Sequence, residues 1–262
     1  MWLLRLIGVA SLAAASAACF QMTDVMKVNA DGSGTIEHRM MINNAAIAQM
    51  RQLAMLGGRG SFDPISEKQA RDLAATIGGG AAYMTSTPIA TPTGQGRESL
   101  YSFTDVNQLG IQTQPAAPGD VTIRAQGISS EPDTIRFTLS RDPNGNAILH
   151  VLSPPLKLFD AIGPATAPNQ VGLIRSMLAG AHIALVVEPN GTLVRTSSAY
   201  VDGPRVTLLE IDLDEIVKNE PLIAKLQAAK NEDEIQAALK GAPGVKFNFE
   251  RDTIIEFTPA AK

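Results

Sequence analysis

Apolar and polar residues alternate along several short stretches of this chain, and turn sequences separate these stretches. The clearest pair lies in residues 20–42, FQMTDVMKVNADGSGTIEHRMMI, where NADGSG supplies residues that tolerate positive φ. Similar strand–turn–strand patterns flank DPNG at residues 142–145 and PNG at residues 189–191. The alternation therefore predicts three β-hairpins, the first of which starts at residue 20.

Other stretches carry apolar residues at helical spacing, with capping residues or glycines at their ends. Residues 44–56 predict a helix that ends at a Gly-Gly pair, and Ser66 with Gln69 forms a capping box before a second helix. Residues 213–240 predict three short helices. Because the helices are clustered and do not alternate with strands, we expect an α+β fold: an antiparallel β-sheet built from hairpins, with helices packed on one face.

A segment rich in proline, glycine and alanine divides the chain. Residues 154–169, PPLKLFDAIGPATAPN, form a connector between an N-terminal α+β half, residues 19–153, and a C-terminal α+β half, residues 170–262. A chain of 262 residues is long enough for one large domain or two small ones, so a single domain that contains both halves stays open.

Residues 1–18 have the pattern of a secretory signal peptide. One positive charge, Arg5, precedes the apolar run LIGVASLAAA at residues 6–15. This run is too short to cross a bilayer, because spanning needs about 20 apolar residues. Small residues follow it, and then comes Cys19, the only cysteine of the chain. A single cysteine excludes an internal disulfide and every multi-cysteine metal site.

The sequence Ser16-Ala17-Ala18-Cys19 resembles the lipobox of bacterial lipoprotein precursors. In that motif an aliphatic residue and two small residues precede the lipidated cysteine; Ser16 stands here in place of the usual leucine. The resemblance implies that Cys19 is acylated, becomes the first residue after cleavage and holds the chain at the cell envelope, at the outer membrane if the organism is Gram-negative. Two alternatives stay open: a secreted protein cleaved after Ala15-Ser16-Ala17, and a retained anchor helix.

Composition restricts the partners of the protein. The hydrophobic fraction of 45% and the charged fraction of 18% are typical of a folded chain. The net charge of −4, without a cluster of lysine or arginine, provides no electrostatic attraction for nucleic acid. Aromatic residues make up only 5%, so stacking platforms for bases or sugars are scarce. We therefore expect no nucleic-acid partner.

No spacing of chemistry-bearing residues matches a catalytic or metal motif. His38, His150 and His182 each lie in an apolar strand and lack a second histidine at ligand spacing, so a zinc site would need three strands to converge. DPNGNA at residues 142–147 lacks the glycine and glutamate of a calcium loop and predicts a turn. EIDLDEI at residues 210–216 predicts a helix cap rather than a cation site. We expect no catalytic residue, metal or cofactor.

Methionine is enriched in the N-terminal third of the chain. Its flexible thioether suits adaptable apolar surfaces as well as ordinary cores. Core filling is therefore one interpretation, and an apolar groove for a lipid or a partner protein is the other. The candidate groove residues, on the first hairpin and the first helix, are Met22, Met26, Met40, Met50 and Met55.

Four stretches together resemble a group of uncharacterised bacterial lipoproteins, loosely similar to the LppM-type lipoproteins. They are VMKVNADGSGTIEHRMMI, SLYSFTDVNQL, GTLVRTSSAYVDGPRVTLLEIDLDEI and GVKFNFERDTIIEF. The resemblance implies an envelope-facing domain that binds a lipid or glycolipid, and it implies no catalytic residues. The function expected is thus non-enzymatic binding of an apolar ligand or envelope partner at a membrane; the alternative is an envelope hydrolase whose active site the sequence does not reveal.

Overall fold

The computed structural model describes residues 20–56, 63, 65–112, 134–154 and 180–260. The strands in these ranges are β1 (Phe20–Val28), β2 (Gly34–Asn43), β3 (Ala81–Ala90), β4 (Gly94–Phe103), β5 (Gly110–Gln112), β6 (Thr134–Arg141), β7 (Ala147–Leu152), β8 (His182–Pro189), β9 (Gly191–Thr196), β10 (Val201–Asp202), β11 (Arg205–Asp212), β12 (Val245–Phe247) and β13 (Asp252–Pro259). The α-helices are α1 (Asn44–Leu56), α2 (Glu67–Ile77), α3 (Leu213–Lys218), α4 (Glu220–Ala228) and α5 (Glu232–Leu239).

The strands form two sheets, and the fold is α+β. The larger sheet has the order β10-β11-β8-β1-β2-β4-β3, with β12 also paired to β11. Its strands are antiparallel except for β1 and β8, which run parallel side by side. The smaller sheet, β5-β6-β7-β13-β9, is antiparallel.

Two of the three predicted hairpins form, and the third prediction is wrong. β1 pairs with β2 and β6 pairs with β7 in continuous antiparallel register. β8 and β9 flank the PNG turn, but β8 joins the larger sheet and β9 joins the smaller one. β1 and β11 already occupy both edges of β8, so β9 has no free edge to pair with and pairs with β13 instead.

Strands from both predicted halves of the chain pair within each sheet. β8 and β11 of the C-terminal half extend the sheet that β1 and β2 begin, and β13 pairs with β7 of the N-terminal half. This is the pairing expected if the halves form one domain. Residues 155–169 of the predicted connector lie outside the described residues.

One core cluster draws side chains from both sheets. Alternate residues of each strand point inward, so that Met26, Ile36 and Tyr101 of the larger sheet join Phe137 and Phe257 of the smaller one, all at most 2% exposed. Ile77 of α2 and Leu213, Ile216, Leu222, Leu226 and Leu239 of α3–α5 belong to the same cluster. That the helices pack on a single face of a sheet stays a prediction.

The predicted helix caps are present. The side chain of Ser66 accepts a hydrogen bond from the backbone N–H of Gln69 at the start of α2. Asp212 accepts hydrogen bonds from the backbone N–H groups of Asp214 and Glu215 at the start of α3. The acidic residues that follow β11 therefore form the N-terminus of a helix. Within the described residues, no helix is both long and apolar enough to cross a bilayer.

Candidate functional site

A row of polar residues crosses the inner face of the larger sheet. Asp24 of β1 lies opposite His38 of β2, His38 lies opposite Ser99 of β4, and Ser99 lies opposite Ser86 of β3. Directly opposed residues of antiparallel strands point to the same face, so the four side chains are neighbours. Met26, a residue of the next row, is fully buried, which places this polar row at the edge of the sealed core.

The pair Asp24 and His38 is the centre of this row. Nδ1 of His38 and Oδ1 of Asp24 are 2.6 Å apart, and the two side chains are only 11% and 13% exposed. Burial lowers the pKa of His38, but the charge of Asp24 and the hydrogen bond to it raise the pKa, and the net effect is a pKa above the ordinary 6.5. The carboxylate therefore holds the imidazole in one orientation and favours its protonated form.

Beside this pair, two of the predicted groove residues face each other. Met22 and Met40 are register partners, and both are partly exposed. Met40 packs with Phe20 and Ile65 against a second, small core cluster whose buried residues are Ile42, Ala46 and Ile47. The larger sheet thus has an apolar region at this end that is separate from the main core.

The other groove candidates have different surroundings. Met26 is 0% exposed and belongs to the main core cluster, where it packs as an ordinary interior residue. Met50 and Met55 lie in α1, and their side chains lie outside the described part of the structure. Within the first hairpin, the partly exposed pair is therefore Met22 and Met40.

A hydrogen-bond network borders the polar row on the side of β3 and α2. Nη1 of Arg97 donates to Oγ of Ser86 at 2.7 Å, and its Nε donates to the carbonyl oxygen of Ile65 at 2.8 Å. The hydroxyl of Tyr83 lies 2.8 Å from the same Ser86 oxygen, and the guanidinium of Arg71 lies 4.5 Å from the Tyr83 ring centre. These contacts fix the start of α2 against the sheet.

Tyr101 ties the middle of α2 to the same face. Its hydroxyl donates to the carbonyl oxygen of Ala70 at 2.7 Å, and the residue is 0% exposed. Burial raises the pKa of Tyr101 to about 12, although a hydrogen bond with Ser99 acts in the opposite direction. The phenol therefore stays neutral and acts as a hydrogen-bond donor in the core.

The three histidines do not converge. His150 of β7 pairs with Asp252 of β13 at 2.9 Å, and His182 of β8 lies 4.0 Å from Glu210 of β11. Each histidine thus has its own carboxylate on a neighbouring strand. Among the described residues, no group of three His, Cys, Asp or Glu side chains has the geometry of a metal site.

The two loop motifs with carboxylates act as turns and caps. Oδ1 of Asp142 accepts from the backbone N–H groups of Asn144 and Asn146, and Gly145 takes the positive φ of +88° that closes the turn. These contacts confirm the turn predicted for residues 142–147. The hydrogen bonds that Asp212 accepts confirm the helix cap predicted for residues 210–216.

Sequence reasoning considered His38 only as one of three strand histidines, and it missed Asp24 and Ser99 as the register partners of His38 and Arg97 in the next row. Asp24 carries a readable signal: it is the polar residue among the inward positions of FQMTDVMKV, in phase with His38 across a hairpin. Ser99 and Arg97 carry none, since two helices and β3 lie between their strand and β2 along the chain. Cys19 lies outside the described residues, and β1 begins at the residue that follows it.

Comparisons with known proteins find loose similarities only. No family model matches the chain, and no curated protein matches it. The folded domain of LppM from Mycobacterium tuberculosis, solved by NMR, is similar at 10% identity over 76% of this chain and 85% of that one, with a TM-score of 0.30. An M1 zinc metallopeptidase from Deinococcus radiodurans is similar at 8% identity and a TM-score of 0.24; the match spans 76% of this chain but only 40% of the peptidase. At these TM-scores neither similarity identifies the activity of this chain.

Proposed function

We propose that this is a lipid-anchored protein of the bacterial envelope that binds an apolar ligand, a lipid or glycolipid, or the apolar surface of a partner protein, without catalysing a reaction. The observation that carries the binding proposal is the partly exposed Met22–Met40 pair beside the buried Asp24–His38 pair. Binding sites for apolar ligands combine such apolar walls with a few placed polar groups.

The anchor rests on the signal-like N-terminus and on Cys19. Acylation of Cys19 needs no partner residue, which accounts for a single cysteine in a chain of 262 residues. Two or more acyl chains give stable anchoring, since each buried CH₂ contributes about 0.8 kcal/mol. Mass spectrometry of the mature N-terminus tests this: an acylated Cys19 is expected as residue one, and an unmodified terminus upstream of Cys19 would refute the anchor.

The ligand site rests on the two methionines of the first hairpin. A polar replacement there should weaken binding, because it places an amide where an apolar ligand would contact the wall. We expect Met22→Gln and Met40→Gln to reduce the lipid retained by the purified protein, measured by native mass spectrometry. Met84→Gln is the matched control, since Met84 is 54% exposed on β3. Equal lipid retention in all three variants, or a lipid-free wild type, would count against the site.

A second candidate function, an envelope hydrolase, is favoured by one observation. Asp24, His38 and Ser99 occupy opposed positions on three neighbouring strands, an order in which a carboxylate orients a histidine beside a hydroxyl. Ser99 is only 2% exposed, so a substrate would reach it only after the surrounding side chains move. Labelling of Ser99 by a fluorophosphonate, lost in His38→Gln, would support the hydrolase; an unlabelled wild type would exclude a serine nucleophile at this position.

A further inference from the structure

The end of the larger sheet at which β1 begins has no linker between it and the proposed anchor. Consecutive Cα atoms are about 3.8 Å apart, so Cys19 lies next to Phe20, the first residue of β1. Neighbouring strands lie about 5 Å apart, which places β2 and β4 within about 10 Å of the anchored strand. Given the anchor of the proposed function, this end of the sheet must lie close to the lipid.

Two surface segments meet at this end, on the side of β2 and β4. The start of α1 follows β2 directly, and the turn between β3 and β4 packs against it. The backbone N–H of Asn44 donates to the carbonyl oxygen of Thr93 at 3.0 Å, and its side-chain amide donates to that of Pro92 at 3.2 Å. Gln95 donates to the side-chain oxygen of Asn44 at 3.3 Å. We call the exposed residues among 44–52 of α1 and 91–95 at the β3–β4 turn the anchor-side surface.

The anchor-side surface is exposed and carries no carboxylate. Residues 44–52 and 91–95 contain no aspartate or glutamate, although 26 of the 262 residues are acidic. The next acidic residue along the chain after α1 is the exposed Asp63, two residues before Ile65, which packs against the cluster of Ile42, Ala46 and Ile47. The exposed residues are small or uncharged apart from one arginine; they are Asn44, Ala45, Ala48, Arg51, Gln52, Thr91, Pro92, Thr93 and Gln95. A surface of this composition can approach anionic headgroups without charge repulsion.

The opposite flank of the same end is acidic. β8 and β11 lie on the other side of β1, and Asp212 at the end of β11 is the register partner of His182 at the start of β8. Asp214 and Glu215 follow in α3; Glu215 is exposed and lies 3.4 Å from the exposed Lys218, so Asp212 and Asp214 give this flank its excess negative charge. Anionic lipid repels this flank, so the two sides of β1 differ in their fit to a membrane.

We propose that the anchor-side surface is the membrane-docking face of the protein, and that the anchored domain tilts to lay the start of α1 and the β3–β4 turn on an anionic bilayer while α3 stays in water. The proposal rests on the anchor at Cys19 and adds an orientation to it. It commits to a phospholipid surface as the occupant of this face.

The test uses the full mature lipoprotein, purified in detergent and reconstituted into vesicles of phosphatidylcholine with anionic phosphatidylglycerol. Acylation consumes the thiol of Cys19, so a single introduced cysteine is the only reactive thiol. A fluorophore is attached in turn to Ala48→Cys, Thr93→Cys, Glu215→Cys and Thr104→Cys, the last at the far end of β4. Quenching by aqueous iodide is then compared in detergent and in vesicles.

We expect several-fold weaker quenching in vesicles at positions 48 and 93, and unchanged quenching at positions 215 and 104. Equal shielding at 48, 93 and 215 would overturn the tilt, and no shielding at 48 and 93 would overturn the docking face. Mass spectrometry of the same samples separates these failures from that of the anchor. An acylated Cys19 with unshielded labels refutes the docking face alone, whereas an unacylated Cys19 refutes both proposals.

Discussion

Asp24 and His38 face each other across the first two strands, with Oδ1 and Nδ1 2.6 Å apart on the inner face of the larger sheet. A second cross-strand pair, His150 and Asp252, has a similar separation of 2.9 Å but lies nearer to solvent, with side chains 35% and 42% exposed against 11% and 13%. The chain thus contains the same pair of groups in a buried and in an exposed setting. Comparing the two pairs therefore shows how burial changes the contribution of such a pair to the free energy of unfolding.

Replacement of one partner should be costly only in the buried pair. Asp24→Asn leaves the imidazole of His38 without its anion, and loss of one partner of a buried ion pair costs about 3–5 kcal/mol in the free energy of unfolding. Asp252→Asn, the matched control, should cost less than about 1 kcal/mol, since exposed pairs contribute little. Urea unfolding at pH 6, followed by circular dichroism, measures both. Equal losses in the two variants would show that burial does not set the contribution of the pair.

The stability of the protein should fall with pH because of His38. The folded-state pKa of His38 is raised above 6.5, the value expected in the unfolded chain. Its contribution is therefore fully present below pH 6.5 and is lost as the pH rises through the folded pKa. We expect the free energy of unfolding of the wild type to decrease from pH 6 to pH 8.5, and to decrease less in His38→Gln. An identical slope in the two proteins would assign the pH dependence to other groups.

The local turn sequences predicted strand ends better than strand partners. DPNG and PNG both ended one strand and began another, as the sequence indicated, yet only DPNG joins two strands that pair. One of the two partners of β8 is β1, and the two strands are separated by most of the N-terminal half of the chain. No local pattern encodes such pairing, because it depends on which strand edges are still free when the sheets assemble.

In the candidate site too, contacts within one hairpin could be predicted from the sequence, whereas contacts between strands distant along the chain could not. Asp24 and His38 could be matched from one hairpin, because the turn fixes the register and the alternation fixes the face. Ser99 reaches the same row through the pairing of β4 with β2, across α1 and α2. Whether Met22 and Met26 line a surface or the core also depends on distant strands: the smaller sheet and the helices bury Met26 and leave Met22 partly exposed.

Close backbone packing at Gly34 should make this glycine irreplaceable. A Cβ atom there would overlap the carbonyl oxygen of Lys27 and the ring of Phe103, where β2 begins between β1 and β4. We expect Gly34→Ala to destabilise the protein by about 3 kcal/mol, the upper end of the usual cost of overpacking, since neither the strand nor the buried ring can move cheaply. Gly145→Ala is the control: its Cβ meets open space, and its φ of +88° costs about 1–2 kcal/mol. Thermal unfolding of both variants distinguishes overlap from backbone strain, and a smaller loss at Gly34 than at Gly145 would contradict the packing argument.

Replacement of the two methionines Met22 and Met26, at inward positions of β1, should affect the free energy of unfolding and lipid binding differently. Met26 is 0% exposed in the main core, so Met26→Ala removes buried atoms, leaves a cavity and should cost about 2–5 kcal/mol. Met22 is partly exposed, so Met22→Ala should cost less than about 1.5 kcal/mol, because its side chain loses less buried contact. If Met22 lines a ligand site, Met22→Ala should still weaken lipid retention, measured by native mass spectrometry beside urea unfolding of the same preparations. Strong destabilisation by Met22→Ala would place Met22 with Met26 as a core residue. Lipid retention equal to that of the wild type would remove Met22 from the binding surface.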